Sequence, residues 1–330
     1  MSDLAVAAFA AQTGSHVVRE PRERRFERFR RGFDAERYLA ALAKRGFRFL
    51  GRSDPEYPPL LRELHDPPPG LFLRGGAEAE VLSRTAVAIV GARSCSSYGR
   101  QVAKLLGREL AAAGLVVVSG LARGVDGEAH RGALEAGGVT VAVLGCGIDR
   151  DYPAVHGQLA ASIAEAGLVV SEYAPGVEPA PWRFPARNRV IAGLAAATTI
   201  VEARERSGAL ITADFALEAG REVFAVPGDI TSSLSVGTNA LLRLGAIPLT
   251  SAGDVLEAFG IAVPEAGAPE VGEDAALVLG AMADRPAGAD ELIRTTGLDA
   301  ATVATALAEL ELAGAVVEAE GLFRGVRPAD

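Results

Sequence analysis

The sequence predicts an α/β fold, a mostly parallel sheet with helices on both faces, followed by a small three-helix domain. Six apolar β-type runs, Ala86–Val90, Leu115–Val118, Thr140–Leu144, Leu168–Val170, Thr198–Val201 and Val223–Val226, alternate with alanine-rich, helix-compatible segments. Most of these runs are continuously apolar instead of alternating, as strands buried on both faces require. Beyond residue 273, helical segments at Asp274–Ala283, Ala289–Thr295 and Asp299–Ala313 precede a hairpin, Val316–Glu318 and Leu322–Val326, around Gly321. Three helices and a hairpin in about fifty residues form a winged-helix pattern.

The 330 residues are 49% hydrophobic, enough for a sizeable core. No apolar run reaches the roughly 18 residues of a membrane span, and the N-terminus lacks an apolar signal core. Cys95 and Cys146 lack metal-ligand spacing and read as free thiols in a reducing cytoplasm. The net charge of −9 argues at first sight against a nucleic-acid partner, so its distribution matters. Residues 1–52 carry 12 Lys+Arg against 6 Asp+Glu, and residues 261–330 carry 4 against 13. Residues 53–84 and 85–260 are each −3. The tail supplies the acidity, which leaves room for a basic cleft in the middle of the chain.

Taken in order, residues 1–84 read as a short N-terminal module and connector. Arg19–Arg31 (REPRERRFERFRR) suggests a solvated, partly helical arm, with an auxiliary phosphate-binding arm as the alternative. A short helix and a strand follow between Phe33 and Phe49, and the prolines of DPEYPPLLRELHDPPPGLFLRG forbid regular structure over most of that stretch. Residues 85–260 form the core, 261–273 (IAVPEAGAPEVGE) a Pro/Gly/Ala-rich linker, and 274–330 the winged-helix domain.

In parallel sheets, ligands bind at the carboxyl ends of strands, so the residues after each run are the informative ones. GARSCSSYG places Arg93 and Ser94 at the sheet's edge. SGLARGVDGEAH brings Ser119, Gly120, Arg123 and Gly124, whose backbone N–H groups can converge on an anion. GCGIDRDYP and SEYAPG follow the next two strands, and EARERSGALITA leads through Ser207 and Gly208 into a helix. The stretch from Trp182 to Gly193, WRFPARNRVIAG, concentrates Arg183, Phe184, Arg187, Asn188 and Arg189 around Pro185. An apolar helical run begins near Val190, so the cluster is expected on a loop entering a helix, where unpartnered N–H groups favour anions. Guanidinium forks match phosphate oxygens, and an exposed phenylalanine offers a stacking face for an unpaired base.

Neither a GxxxxGK[ST] P-loop nor a GxGxxG after the first strand is present, and no cofactor or metal is implied. The acidic residues Asp126, Glu128, Asp149 and Asp151 read as helix caps or partners of arginines, and His130 as a packing residue. The third helix of the tail would expose Asp299, Thr302, Thr305 and Glu309 without any lysine or arginine. A helix meant for the major groove needs donors, so the wing reads as a partner-binding or regulatory module, with DNA reading as the alternative.

Set side by side, the strand-end loops resemble those of the DNA-processing protein A family (DprA, also called Smf). The matching segments are GARSCSSYG, SGLARGVDGEAH, VAVLGCGIDRDYP, SEYAPG, FPARNRVIAG, SGALITA and VFAVPG, in the family's order between residues 85 and 260. The resemblance implies an extended Rossmann-like core that binds single-stranded DNA, dimerises through that core, and hands strands to the RecA recombinase in natural transformation. YPPLLRELHDPPPGLFLRG looks like the family's junction into the core, and the tail is similar to the winged-helix module of some members. Many members carry a lysine three residues before the phenylalanine of FPARNR. Here that position is Pro181, and Arg183 is the residue expected to take over its phosphate contact.

On both lines of argument, Arg93, Arg123 and the Ser119–Gly120 backbone hold successive phosphates above the sheet. Phe184 stacks on a base, while Arg187, Asn188 and Arg189 fix the strand's path or brace the loop. Ser94, Gly124, Ser207 and Gly208 complete the expected DNA-binding set. Stacking and phosphate contacts carry no sequence information, so binding should tolerate any sequence, depend on salt and involve no catalysis. The rival reading is a phosphoribohydrolase on a related Rossmann core. Its PGGxGTxxE loop would fall near residues 227–240, where this chain has PGDITSSLSVGTN without the paired glycines or the glutamate. A pure protein scaffold would leave the convergent arginines unexplained.

Overall fold

The computed structural model describes residues 2–14, 24–262, 271–282, 285–319 and 321–325. The chain divides into two compact units, residues 1–254 and 255–330. In the first, the strands are β1 (Phe47–Gly51), β2 (Gly70–Arg74), β3 (Ala86–Val90), β4 (Val116–Ser119), β5 (Thr140–Leu144), β6 (Leu168–Ser171), β7 (Ala197–Ile200), β8 (Glu222–Ala225) and β9 (Ile247–Pro248). The helices are α1 (Ser2–Thr13), α2 (Arg24–Gly32), α3 (Ala35–Ala43), α4 (Pro59–Arg62), α5 (Ser97–Ala112), α6 (Val125–Glu135), α7 (Gly157–Ala166), α8 (Arg183–Leu194), α9 (Gly208–Glu218), α10 (Val236–Arg243) and, at the boundary of the units, α11 (Ala252–Ala258).

Among the described residues these strands make one sheet in the order β1-β2-β6-β5-β4-β3-β7-β8-β9. From β6 to β9 every pairing is parallel, as the continuous apolar runs require. Alternate side chains serve opposite faces. Ala86, Ala88 and Val90 of β3 join Val190, Ile191 and Leu194 of α8 and Ala209, Ala213 and Ala216 of α9 in one core layer. Phe72, Ala142, Leu144 and Val169 turn the other way, towards Leu4 and Ala7 of α1, Leu42 of α3 and Leu159, Ala160 and Ile163 of α7. Each fully buried aliphatic side chain contributes about 1.5–3 kcal/mol relative to exposure.

The N-terminal region departs from the expected module and connector. β2 pairs antiparallel with β6, and β1 with β2, so residues 47–74 are the margin of the core sheet and residue 84 marks no break in it. The prolines permit this because none falls inside either strand. Pro58 and Pro59 instead open α4, where a missing N–H is harmless. Leu4 to Phe9 of α1 are buried, and the described part of the expected arm, from Arg24, is the helix α2, anchored by the buried Phe26. Arg19 to Glu23, and most of the expected linker (263–270), lie outside the described residues.

The second unit holds the expected three helices, α12 (Glu273–Ala281), α13 (Ala289–Thr296) and α14 (Ala300–Leu312), with the hairpin β10 (Val316–Ala319) and β11 (Leu322–Gly325). Ala275, Val278, Leu292, Val303, Leu307 and Leu310 form its core. Two acidic residues of its third helix already have internal partners. Asp299 caps α14 by accepting from the N–H groups of Ala301 and Thr302, and Glu309 accepts from Gly272 N–H at 2.6 Å. Among the described residues no helix is long and apolar enough to cross a membrane.

Candidate functional site

α8 organises the site, and it begins at Arg183, well before the apolar run at Val190. Pro185 is the third helical residue, where the N–H it lacks would have no intrahelical partner, so it does not delay the helix. The cluster therefore lies on the first two turns of a mostly buried helix, not on an entering loop. At about 100° per residue, Arg187 and Arg189 then point to opposite sides.

Arg187 is 5% exposed and forms the floor of two adjoining hollows, of about 250 and 440 Å³. The smaller lies between the end of β3 and the start of α9, lined by Gly91, Asn188, Ser207 and Gly208. β3 and β7 are neighbours whose onward connections run in opposite directions, so this is the sheet's topological switch point. The larger spans the ends of β3, β4 and β5, lined by Ser94, Ala122, Arg123, Gly145 and residues 151–154. Arg93, Phe184 and Arg187 line both.

Phe184 is half-buried between two groups from other loops. The Tyr152 ring stacks on it at 5.3 Å and 29°, and the Arg93 guanidinium sits 5.2 Å from its centroid. Tyr152 is 45% exposed. The result is an aromatic and cationic rim above a buried floor that pairs Arg187 with Asp126, and the rim suits a flat ring together with an anion. Asp126 is buried beside Arg187, and burial raises its carboxyl above the usual range while Arg187 pulls it down. Burial likewise lowers Arg187.

Two glycines make this closeness possible. A Cβ at Gly120 would sit 2.4 Å from Asp126 Oδ2 and 2.8 Å from Arg187 Nη2, so a side chain there would separate the pair from the backbone. Gly124 has φ of +78°, and a Cβ on it would lie 2.3 Å from the Ala92 carbonyl oxygen. This draws the β3 and β4 loops together, joined by the Val125 N–H to the Ala92 carbonyl at 3.3 Å.

The expected site residues divide into two groups. Arg93, Ser94 and Arg123 are exposed at the rim, and Phe184, Arg187, Asn188, Ser207 and Gly208 line the hollows. Asn188 donates from Nδ2 to the Gly208 carbonyl at 3.0 Å, and Ser207 caps α9, so these two shape the wall. The others face inward. Ser119 is fully buried and donates its hydroxyl to the Ile89 carbonyl at 2.6 Å, because as the last residue of β4 it points into the sheet. The Gly120 carbonyl accepts from His130 Nε2 at 2.6 Å. Arg183 donates to the Glu178 carbonyl and lies over the Tyr173 and Trp182 rings, so it is no stand-in for an exposed lysine. Arg189 is 2% exposed and bidentate to Glu172, at 2.7 and 3.0 Å, with Asp66 at 3.2 Å: it braces the loop.

Tyr152 is the ring that the sequence reading missed. Its signal was an aromatic beside proline in a charged strand-end loop, DRDYP.

A sheet of this topology with a ring- and anion-accepting hollow at its switch point is a Rossmann-like ligand-binding core, here followed by a winged-helix unit. More narrowly, the chain belongs to the DNA recombination-mediator protein A family, whose family model matches residues 48–260, while that of the DprA winged helix domain matches 262–321. It is 41% identical over 287 residues to Protein Smf of Escherichia coli K12, covering 83% of this chain and 76% of that one. It is 46% identical over 205 residues to DNA processing protein DprA of Streptococcus pneumoniae, covering 62% and 71%. The crystal structure of the pneumococcal protein aligns at a TM-score of 0.67 and 37% identity over 78% of this chain and 92% of that one. DNA processing protein A of Helicobacter pylori, whose structure was described for its single-stranded DNA binding mode, aligns at 0.58 and 32%, covering 64% and 95%.

Proposed function

We propose that the core binds single-stranded DNA regardless of sequence, protects incoming strands and loads the RecA recombinase onto them in natural transformation and homologous recombination. The Tyr152–Phe184–Arg93 stack above Arg187 carries this reading. An unpaired base stacks on the aromatic pair, while Arg93, Arg123 and Arg187 take the phosphates. The acidic residues nearby hold arginines and backbone in place, so the reading needs no bond made or broken. The described binding mode of the Helicobacter pylori relative supports it.

The chain acts in the cytoplasm as a homodimer through its core, with the winged-helix unit serving a protein partner. Leu244, 84% exposed, and Ile247 of the edge strand β9 support the dimer. Of Val255, Leu256 and Phe259, the apolar face near the core's end that the sequence offers for it, the first two are buried and Phe259 is half-buried.

The test is a competition titration. A single strand should displace labelled oligo-dT far better than the duplex of the same sequence, and Arg93→Ala or Arg123→Ala should each make the log K against log salt slope shallower by about 0.7. Equal affinity for single and double strands overturns the reading, and release of adenine from AMP would turn it to the phosphoribohydrolase.

A further inference from the structure

α2 is the most basic helix among the described residues, and none of its residues lines the hollows. At about 100° per residue, Arg24, Arg28 and Arg31 share one stripe, and Phe26 and Phe29 lie opposite. The aromatic side is pinned: Phe26 is buried edge-on to Phe9 at 5.2 Å, and Phe29 lies 5.4 Å from Phe9. All three arginines are therefore turned to solvent, and all are exposed. The acid of this helix, Glu27, reaches Arg31 only at 3.9 Å, with both side chains more than half exposed, so it neutralises little. Arg24 and Arg28 have no ion-pair partner among the described residues.

The same aromatic side connects α2 to the proposed site. Phe29 stacks on Phe33 at 5.2 Å, and Phe33 meets Tyr38 at 5.4 Å. Phe33 and Tyr38 pack on the core cluster containing Cys146 and Ile148, in the loop after β5. Asp149 of that loop is bound by Arg45 at 2.9 Å, and Tyr152 follows three residues later. The arginine stripe is thus fixed, through packed rings, to the loop that carries the stacking tyrosine.

We propose that the Arg24–Arg28–Arg31 face of α2 is a second, sequence-independent nucleic-acid contact, which takes the phosphates of a strand continuing beyond Tyr152. This rests on the single-strand reading of the hollows and extends it. From Arg24 to Arg31 the helix rises about 10.5 Å, so guanidinium groups at the two ends of the stripe can reach different phosphates of one strand. Screening within about 8 Å at physiological salt confines the attraction to a strand passing close to the helix. Guanidinium forks bind phosphate oxygens in pairs.

The experiment compares the full chain with R24Q/R28Q/R31Q on oligo-dT of about 8 nucleotides, within a single-site footprint, and of about 40. The short oligonucleotide should bind both proteins equally. The long one should bind the variant roughly tenfold more weakly at low salt, with a log–log salt slope shallower by about 2. R24K/R28K/R31K should keep most of the long-strand advantage, and R28Q alone, least able to disturb the fold, should flatten the slope by about 0.7. Unchanged long-strand affinity and slope, or equal losses on both lengths, overturn the inference. So does a variant that loses only binding to anionic phospholipid vesicles, which would assign the face to a membrane. Failure of the parent to bind even the short strand would instead sink the single-strand reading, and this inference with it.

Discussion

Replacing Arg189 by methionine should destabilise the core without touching the proposed strand-binding surface. Its guanidinium makes two charge-assisted bonds to Glu172, at 2.7 and 3.0 Å, and one to Asp66 at 3.2 Å. The side chains of Arg189 and Glu172 are only 2% and 4% exposed, that of Asp66 39%. The Asp66 arm is screened and contributes little, so the Glu172 arm decides the magnitude. Without Arg189, Glu172 is left buried with no counter-charge, which costs about 3–5 kcal/mol. At about 2–4 °C per kcal/mol for a unit of this size, the melting temperature should fall by roughly 6–20 °C. Pairing Arg189→Met with Glu172→Leu should recover most of the loss, because an apolar pair replaces a buried ion pair at little cost. The assay is calorimetry on the four members of the cycle, with oligo-dT affinity measured well below each transition. An Arg189→Met protein that melts like the parent, or one that keeps its melting temperature and loses DNA affinity, would refute the brace.

Three further outcomes follow from the geometry. Phe184→Ala and Tyr152→Ala should each weaken oligo-dT binding by about 1–3 kcal/mol, and the double variant by less than the sum because the rings stack on each other; fluorescence anisotropy of labelled strands reads this out, and full additivity would mean they act separately. Burial holds His130 down at about 4. Above pH 6.5 its imidazole is neutral folded and unfolded and contributes nothing, but as pH falls towards 4 only the unfolded chain takes up the proton. Stability should therefore drop by up to about 3 kcal/mol over that window, and denaturation against pH should show His130→Gln losing this component, whereas a parent–variant difference that stays flat refutes it. Leu244→Glu, at an exposed position, should leave the fold intact and shift light-scattering mass towards the monomer; a variant still dimeric at the lowest concentrations places the interface elsewhere.

Much of this protein was legible in order along the chain. The six core strands are the six apolar runs, because a strand buried on both faces has no polar positions to interrupt it. The winged-helix elements were readable because each carries its own periodicity and turn residues. The strand-end loops could be singled out because a parallel sheet puts its ligand site there whatever its sequence. β1 was readable as a strand, but β2 and the joining of both to the core sheet were not: whether a short apolar segment joins a sheet depends on an open edge elsewhere, here that of β6.

Within the site, the sequence named the residue types but not their directions. Moving the start of α8 from near Val190 to Arg183 turns a loop of convergent arginines into a helix with two functions. Arg187 and Arg189, about 200° apart on it, become a pocket floor and a buried brace. Ser119 turns inward for a similar reason, since the pleat of β4 sets its side and only the packed sheet sets where β4 ends. Composition and motif determined what kind of ligand this chain could meet. Helix phase, strand register and the partners available at each buried charge decided which residues line the hollows, because those depend on contacts between segments far apart in the chain.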